Sequence, residues 1–297
     1  MKVLNFGSCN IDYVYSVENF VNAGETIAVK KMEIFPGGKG LNQSVAAARA
    51  GATVYHAGCI GDDGEILKST LKMSGADVSF LKSMEEKSGH AIIQVDSSGE
   101  NCIMVFEGTN GAIKKEFADE VLANFSSDDF LLVQNETNCV SYIIDEAFKK
   151  GMKTVFNPSP FNERINEVNL EHISYLLVNQ TEAKEISGGK TQEEFFDILL
   201  SKYPNLKIVF TLGAKGCVYA DKNTTISQEA YKTEVVDTTA AGDTFSGYFV
   251  AQIAEGRSVK EAIKCASMAA SVSVSRMGAA PSIPKMEEVK ERLEKLV

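Results

Sequence analysis

Short apolar runs alternate with amphipathic helical segments along most of the chain, and this alternation restricts the fold more than any other feature. A short apolar run between turn signals is typical of a strand that is buried on both faces. Such strands, separated by helices, form a mainly parallel sheet with helices on both sides. We therefore predict an α/β protein with a three-layer, Rossmann-like core. The predicted strands are Lys2–Gly7, Ala52–Ile60, Phe130–Val133, Lys153–Phe156, Tyr175–Val178 and Lys207–Thr211, and the predicted helices are Gly40–Ala50, Gly64–Met73, Ser141–Lys150, Gln192–Lys202, Thr244–Ala254, Val259–Ser275 and Met286–Leu296.

Two stretches break this alternation, because no helix follows their strand-like pattern. They are Thr26–Phe35 and His90–Phe106, and the second contains a turn at Gly99 and Glu100. We predict that they form a small antiparallel sheet, a lid over a site at the strand ends, where open α/β sheets bind ligands. An edge extension of the main sheet is the alternative. The expected organisation is one domain, 1–297, with a core of about 1–12, 37–88 and 108–297 and a lid of about 13–36 and 89–107.

Composition excludes several classes of protein. Of the 297 residues, 44% are hydrophobic and 24% are charged, which is typical of a folded globular chain. The formal net charge of −10 repels phosphate backbones, so we expect no nucleic-acid partner. No apolar run is long enough to cross a membrane, and the first residues turn polar too soon for a signal peptide. The six cysteines lack metal-ligand spacing and are expected to be reduced thiols of a cytoplasmic protein.

The segment Asp237–Phe245 carries the strongest chemical signal. It follows a predicted strand, Glu234–Val236, and it precedes a predicted helix. The small residues Ala240–Gly242 let backbone N–H groups at the helix start approach a ligand, and with the helix dipole they form an anion hole. Asp243 would then lie beside a bound anion, which is unfavourable unless the carboxylate acts as a base on the attacking group. A simple helix cap is the alternative role for Asp243.

Three further polar segments carry weaker signals. The glycine-rich loop Pro36–Gln43 permits close backbone approach but lacks the spacing of a P-loop. The segment Asn10–Asp12 could bind vicinal hydroxyls, with an ordinary turn as the alternative. The segment Asn179–Glu182 could order water around Mg²⁺, with a helix cap as the alternative. No G-x-G-x-x-G motif occurs, which disfavours a dinucleotide-binding fold.

Together these segments resemble the ribokinase family of carbohydrate kinases, also called the PfkB family. The resemblance covers essentially the whole chain, and the segment Asp237–Phe245 is its most specific part. Within the family, the ribokinase members are the most similar, through Gly7–Asp12, Gly38–Gln43 and Gly278–Ser282. The resemblance implies an ATP-dependent phosphotransferase with Mg²⁺ beside the nucleotide and an activating monovalent cation, K⁺. The implied acceptor is a small sugar, above all D-ribose at its O5 hydroxyl.

The resemblance also implies roles for individual residues. Asp243 would be the general base, and the anion hole would consist of Ala240, Ala241 and Gly242. The implied sugar ligands are Asn10, Asp12, Gly38, Lys39, Gly40, Asn42, Glu136 and Asp243. The implied nucleotide ligands are Asn179, Glu182, Thr211, Leu212, Gly213, Ala214, Lys215, Gly216, Gly242 and Ser267. The implied cation site consists of Asp237, Thr239, Ser273, Arg276, Gly278 and Ser282, mainly through backbone carbonyls.

The identity of the sugar stays open at the level of sequence. A phosphorylated substrate needs Arg or Lys to match its charge, whereas the implied sugar ligands include one basic residue, Lys39. This set suits an uncharged polyol. Deoxyribose, fructose or a nucleoside remain alternatives to ribose, as does a non-catalytic sugar sensor. The departures from the usual ribokinase pattern lie near the sugar, at Cys9, Thr109 and Asn135, and the aromatic residues that could hold a nucleoside base are Tyr13, Tyr15 and Phe35.

The predicted lid also suggests a partner. Its strands, such as Ala91–Val95 and Cys102–Phe106, place apolar residues on both faces. A two-sided apolar sheet that stands off the main body needs a cover on its outer face. We expect the lid of a second copy to provide this cover in a homodimer.

Overall fold

The computed structural model describes residues 1–295. The strands are β1 (Lys2–Phe6), β2 (Asn10–Ser16), β3 (Lys31–Gly37), β4 (Thr53–Ile60), β5 (Asp77–Ser83), β6 (Gly89–Val95), β7 (Asn101–Phe106), β8 (Phe130–Gln134), β9 (Lys153–Asn157), β10 (Tyr175–Asn179), β11 (Lys207–Thr211), β12 (Cys217–Ala220) and β13 (Thr225–Gln228). The α-helices are α1 (Lys39–Arg49), α2 (Glu65–Met73), α3 (Lys115–Leu122), α4 (Val140–Lys149), α5 (Gln180–Ser187), α6 (Gln192–Lys202), α7 (Ala241–Ala254), α8 (Val259–Ser273) and α9 (Met286–Glu294). None of the helices in this range has the length and apolar character needed to cross a bilayer.

The main sheet confirms the predicted three-layer core. Within residues 1–295 its strand order is β13-β12-β11-β10-β9-β8-β1-β4-β5, and the seven strands from β11 to β5 are mutually parallel. The chain reverses at one edge, where β12 and β13 pair antiparallel. Successive residues of β1 point to opposite faces, so Val3 belongs to the core beneath α1, α7 and α8, and Leu4 to the core beneath α3, α4 and α6. The sequence did not predict β5, β12 or β13.

A second, smaller sheet confirms that the predicted lid is separate from the main sheet. Its strand order is β3-β2-β6-β7, with antiparallel pairing at both edges and parallel pairing between β2 and β6. The segment Asn10–Asp12 begins β2, so the alternative of an ordinary turn is wrong. The stretch predicted from Thr26 is regular only from Lys31 onward.

Two other predictions need correction. The segment Glu234–Val236 is a loop, because its backbone pairs with the end of α8, through Val236 N–H and Val274 O, and with no strand in residues 1–295. The predicted C-terminal helix ends at Glu294, and Leu296 lies outside the described residues. Helix α7 begins at Ala241, three residues before the predicted start at Thr244, so Asp243 does lie in its first turn.

Glycines let α1 approach both β1 and α7. A Cβ on Gly40 would lie 2.3 Å from Ser8 N, and a Cβ on Gly247 would lie 2.4 Å from Ala46 Cβ. Such separations are far below van der Waals contact, so no larger residue fits without backbone movement. The N-terminal turns of α1 and α7 therefore meet at the carboxyl end of the main sheet.

Candidate active site

Polar side chains line the carboxyl ends of four neighbouring parallel strands. Gln134 ends β8, Asn157 ends β9, Asn179 ends β10 and Thr211 ends β11. Gln134 is paired with Asn157 in the strand register, and Asn179 with Thr211. Parallel strands bring their carboxyl ends to one edge of the sheet, where open α/β folds bind ligands. The N-terminus of α7 points to the same edge.

The start of α7 is built to receive an anion. Ala240 precedes the helix in the left-handed region, at φ 58°, a strained conformation for a residue with a Cβ. The backbone N–H groups of Gly242 and Asp243 donate to no acceptor within residues 1–295. A Cβ on Gly242 would meet no atom within 4 Å, so the fold itself does not require glycine there. The empty space and the free N–H groups fit a phosphoryl group.

The cavity in front of this helix has a volume of about 190 Å³. That is smaller than most small-molecule sites. Eight of the predicted site residues line it, namely Lys39, Asn179, Glu182, Thr211, Ala240, Ala241, Gly242 and Asp243.

The carboxylate of Asp243 is 8% exposed and receives two hydrogen bonds from α1. Asn42 Nδ2 donates to Asp243 Oδ2 and Gln43 Nε2 donates to Asp243 Oδ1, each at 3.0 Å. A buried carboxylate requires such donors. Asn42 Oδ1 is buried and has no partner within residues 1–295, so this atom is ready to accept a hydrogen bond from a ligand.

The residues predicted as sugar ligands lie around Lys39. Glu136 Oε2 accepts hydrogen bonds from Ser8 Oγ at 2.5 Å and from Lys39 N at 2.8 Å, and Glu136 Oε1 is 4.0 Å from Lys39 Nζ. Asp12 lies against Gly37, where a Cβ would come within 2.1 Å of its carboxylate. Asn10 Oδ1 accepts from Asn110 Nδ2 at 2.7 Å, so this oxygen of Asn10 is already used within the fold.

Charges in this cluster shift two pKa values. Burial, reinforced by the nearby carboxylate of Glu136, raises the pKa of Asp12 to about 7, although Lys39 opposes the shift. Burial alone would lower the pKa of Lys39, but the surrounding carboxylates, first Asp243 and then Glu136, raise it. Lys39 is therefore cationic at neutral pH.

Asn179 and Glu182 form a helix cap, which was the alternative to a role beside Mg²⁺, and both residues also line the cavity. Asn179 Oδ1 accepts from Glu182 N, and Glu182 Oε2 accepts from Asn179 N, each at 3.0 Å, which is a capping box at the start of α5. Mg²⁺ bound with substrate phosphates keeps several waters and uses one or two carboxylates. Glu182 and Asp243, the two carboxylates that line the cavity, fit this requirement.

The predicted nucleotide turn follows β11 as expected. Leu212 N donates to Gly216 O at 2.8 Å and closes the turn, in which Gly213 and Gly216 have positive φ. Thr211 lines the cavity, whereas the remaining residues of the turn lie outside it. Ser267 also lies outside the cavity, with its hydroxyl 3.7 Å from Cys217 Sγ, so the structure does not bring Ser267 to the reacting groups.

The residues of the predicted cation site come together between α7 and the end of α8. Asp237 Oδ1 accepts from Thr239 N and Oγ1 at 2.9 and 2.6 Å, and Asp237 Oδ2 accepts from Gly278 N at 2.8 Å. Burial would raise the pKa of Asp237, but these hydrogen bonds, first those from Thr239, lower it. Ser273 and Ser282 hydroxyls lie 2.8 Å apart. The Arg276 side chain is the exception, because it pairs with Glu288 and leaves only its backbone near the loop.

Sequence reasoning missed several residues of the site. Asn157 lines the cavity, and Gln43, Gln134 and Asn110 hold predicted ligands or Asp243 in place. Their sequence signals were the place of Gln43 in the segment Gly38–Gln43 and the position of Gln134 and Asn157 at the ends of apolar strand runs. A larger cavity of about 700 Å³ lies at the opposite end of α1 and α7, and its lining mixes basic and acidic side chains.

Comparisons with known proteins agree with this geometry. The model of the pfkB family carbohydrate kinases matches residues 1–286. The chain is 37% identical to ribokinase from Haemophilus influenzae, over 97% of both sequences. Its structure is similar to that of Cryptococcus neoformans ribokinase in complex with ADP, with a TM-score of 0.87, 34% identity and coverage of 98% and 99% of the two chains. It is also similar to Arabidopsis thaliana ribokinase complexed with ribose and ATP, with a TM-score of 0.88, 27% identity and coverage of 99% and 98%.

The partly buried carboxylate of Asp12 yields a stability prediction. Because its pKa rises from 3.8 to about 7 on folding, the folded state binds more protons between these values, and stability falls as pH rises through this window. Asp12→Asn should increase the free energy of unfolding by up to ~4 kcal/mol at pH 8 and by clearly less at pH 5. Denaturant unfolding at both pH values tests this. Asp128→Asn, at an exposed carboxylate, is the control and should change little. An equal gain at both pH values for Asp12→Asn would contradict the assignment.

Proposed function

The chain belongs to the pfkB family of carbohydrate kinases, and on this basis we propose that it transfers the γ-phosphoryl group of ATP to D-ribose at O5. The observation that carries the proposal is the position of a buried carboxylate, Asp243, in the first turn of α7, where the backbone N–H groups of Gly242 and Asp243 donate to no acceptor within residues 1–295. The ribokinase relatives with this fold support ribose as the acceptor. The cluster around Lys39 contains one basic side chain among carboxylates and amides, which suits an uncharged polyol.

The geometry supports a direct transfer. The sugar hydroxyl would lie beside Asp243, which accepts its proton as the oxygen attacks the γ-phosphorus and the bond to ADP breaks. The carboxylate is held by Asn42 and Gln43, so little reorganisation is needed when the proton arrives. The free N–H groups of Gly242 and Asp243 stabilise the charge on the transferring group. Mg²⁺, when bound near Glu182, would neutralise phosphate charge.

We also propose that the enzyme acts in the cytoplasm. ATP is available there, and all six cysteines are free thiols in the structure.

The first functional prediction concerns the base. Asp243→Asn keeps the size of the side chain and removes its capacity to accept the proton, so kcat should fall by ~10²–10⁴-fold. Turnover of ATP is measured with ribose, deoxyribose, fructose and nucleosides. Ribose should give the highest kcat/KM in the parent enzyme. A variant with near-parental turnover would show that Asp243 is not the base, and a preference for another acceptor would overturn ribose alone.

We further propose that K⁺ binds beside Asp237 and activates the enzyme. The carboxylate of Asp237 joins the loop before α7 to the loop after α8, so a cation there would fix the backbone from which the anion hole starts. We expect the highest rate in K⁺, and lower rates in Na⁺ or a bulky organic cation at equal ionic strength. Asp237→Ala should abolish the difference. Equal rates of the parent enzyme in all three salts would remove the cation from the mechanism.

The lid supports the proposal of a homodimer. Strand β7 is exposed along its whole length, and Ile103, Met104, Val105 and Phe106 are each more than half exposed. Met32 and Ile34 add exposed apolar surface at the opposite edge. Edge strands of this kind are normally covered, because they otherwise promote aggregation. A two-fold pairing of lids would cover them and would close the site that contains Asp12.

Sedimentation at micromolar concentration tests the dimer. We expect a species of twice the chain mass of 32.2 kDa. Val105→Lys places a charge on the exposed strand and should give monomers with a raised KM for the sugar. Met73→Lys is the matched control, because Met73 is 88% exposed on α2, away from the lid. A fully active parent enzyme of single-chain mass would contradict the proposal.

A further inference from the structure

We propose that Gln43 is a positioning residue that holds the base, Asp243, in its reactive orientation through a buried network of amide side chains. The inference rests on the proposed function, in which Asp243 accepts the proton of the sugar hydroxyl. Gln43 is 0% exposed and does not line the cavity. Gln43 therefore cannot touch a ligand there, and any effect on the reaction has to pass through Asp243 and its neighbours.

All the polar atoms of the Gln43 side chain are used. Its Nε2 donates to Asp243 Oδ1 and to Asn157 Oδ1, each at 3.0 Å. Its Oε1 accepts from Gln134 Nε2 at 2.8 Å. A buried side chain that makes these three hydrogen bonds has one favoured rotamer. It presents both of its N–H bonds in a fixed direction to the carboxylate and to β9.

The orientation of the Gln43 amide is fixed independently of Asp243. Asn157 Nδ2 donates to Leu177 O at 3.0 Å, and because a carbonyl can only accept, Asn157 must present its oxygen to Gln43. Gln43 must then present its NH₂ group. The arrangement thus persists when the carboxylate takes up a proton, which is what a fixed support of a base requires.

The network continues to the core of the main sheet. Gln134 Nε2 donates to Asn5 Oδ1 at 3.0 Å, and Asn5 Nδ2 donates to Gly40 O and to Ser44 Oγ, each at 2.7 Å. The backbone carbonyl of Gly40 fixes Asn5 in the same way that Leu177 fixes Asn157. The orientation of both ends of the chain of amides is therefore determined by backbone acceptors.

The network also includes His56. Its Nδ1 lies 2.8 Å from Ser44 Oγ, and it is 0% exposed. Burial lowers the pKa of His56 to about 4, so the ring is neutral at neutral pH and Nδ1 can accept from the Ser44 hydroxyl. The support of Asp243 therefore reaches a buried, uncharged ring on β4, whose Nε2 lies 3.2 Å from the buried Cys9 Sγ.

The test separates positioning from binding. Gln43→Met keeps the volume and removes the two donors, so kcat should fall by ~10–100-fold, as expected for a displaced reacting group, while KM for ribose and for ATP should change less than ~3-fold. Gln252→Met is the matched control, because Gln252 is also a buried glutamine, on α7, but it lines the cavity at the opposite end. The control should keep kcat within ~2-fold. An unchanged kcat for Gln43→Met would overturn the inference.

A double-variant cycle tests whether Gln43 acts through Asp243. In the Asp243→Asn enzyme the base is already lost, so adding Gln43→Met should reduce kcat by less than ~3-fold. The same 10–100-fold loss in both backgrounds would show that Gln43 acts independently of Asp243 and would overturn the inference.

If Gln43→Met does not fold, as judged by circular dichroism, Gln134→Met replaces it. This variant removes the donor behind Gln43 and should lower kcat by ~3–10-fold with little change in KM, by partial loss of the same alignment. An unchanged kcat would again overturn the inference.

A parent enzyme that phosphorylates no acceptor would overturn the proposed function and this inference together, whereas an active parent with an unaffected variant would overturn the inference alone.

Discussion

A carboxylate that is 8% exposed, that of Asp243, sets the conditions that the rest of the structure meets. An ionised group so deeply buried is stable only with hydrogen-bond donors around it. The donors are consecutive residues of α1, Asn42 and Gln43, which lie about 100° apart around the helix and therefore reach the two oxygens from different sides. This requires the first turn of α1 to lie against the first turn of α7. The contact is close enough because position 247 has no side chain to separate the helices. The contact that we propose for catalysis therefore depends directly on the packing of these two helices.

The same site also contains two neighbouring carboxylates, those of Asp12 and Glu136, whose repulsion destabilises the folded state. Burial and then the nearby carboxylate of Glu136 raise the pKa of Asp12, and one lysine, Lys39, offsets this only in part. Like charges held together in a partly buried site weaken the fold, and proteins retain such pairs mainly where function requires them. An uncharged sugar with several hydroxyl groups can donate to both carboxylates and replace the water that they lose on burial. A phosphorylated sugar would add a further negative charge to this pair.

The sequence alone predicted the elements that depend on local periodicity. It did not predict features that depend on residues far away in the sequence. Six strands of the main sheet and seven helices have clear apolar patterns, and their positions are confirmed to within a few residues, whereas α3 and α5 were not predicted. Strand β2 contains Asn10, Asp12 and two tyrosines, and its regular structure comes from β3 and β6, which pair with it on either side. Glu234–Val236 has a strand-like composition but finds no strand as a neighbour within residues 1–295. In the site, the position of Asp243 in the first turn of a helix was predictable from its own segment. The support by Gln43 was not, because the two residues are 200 positions apart.

The anion hole and the loop around Asp237 form a single mechanical unit. Between Asp237 and Thr244 the backbone folds back on itself, with Ala241 N donating to Thr238 O at 3.2 Å and Thr244 N to Ala240 O at 2.8 Å. The left-handed residue Ala240 lies in the middle of this unit, and its strained conformation needs support from both sides. One side is the turn closed by Asp237, and the other is the Thr244 hydroxyl, which donates to Ser273 Oγ at 3.2 Å. Ala240 lies two and three residues before the free N–H groups of Gly242 and Asp243, so this one residue connects the Asp237 loop with the proposed phosphoryl site.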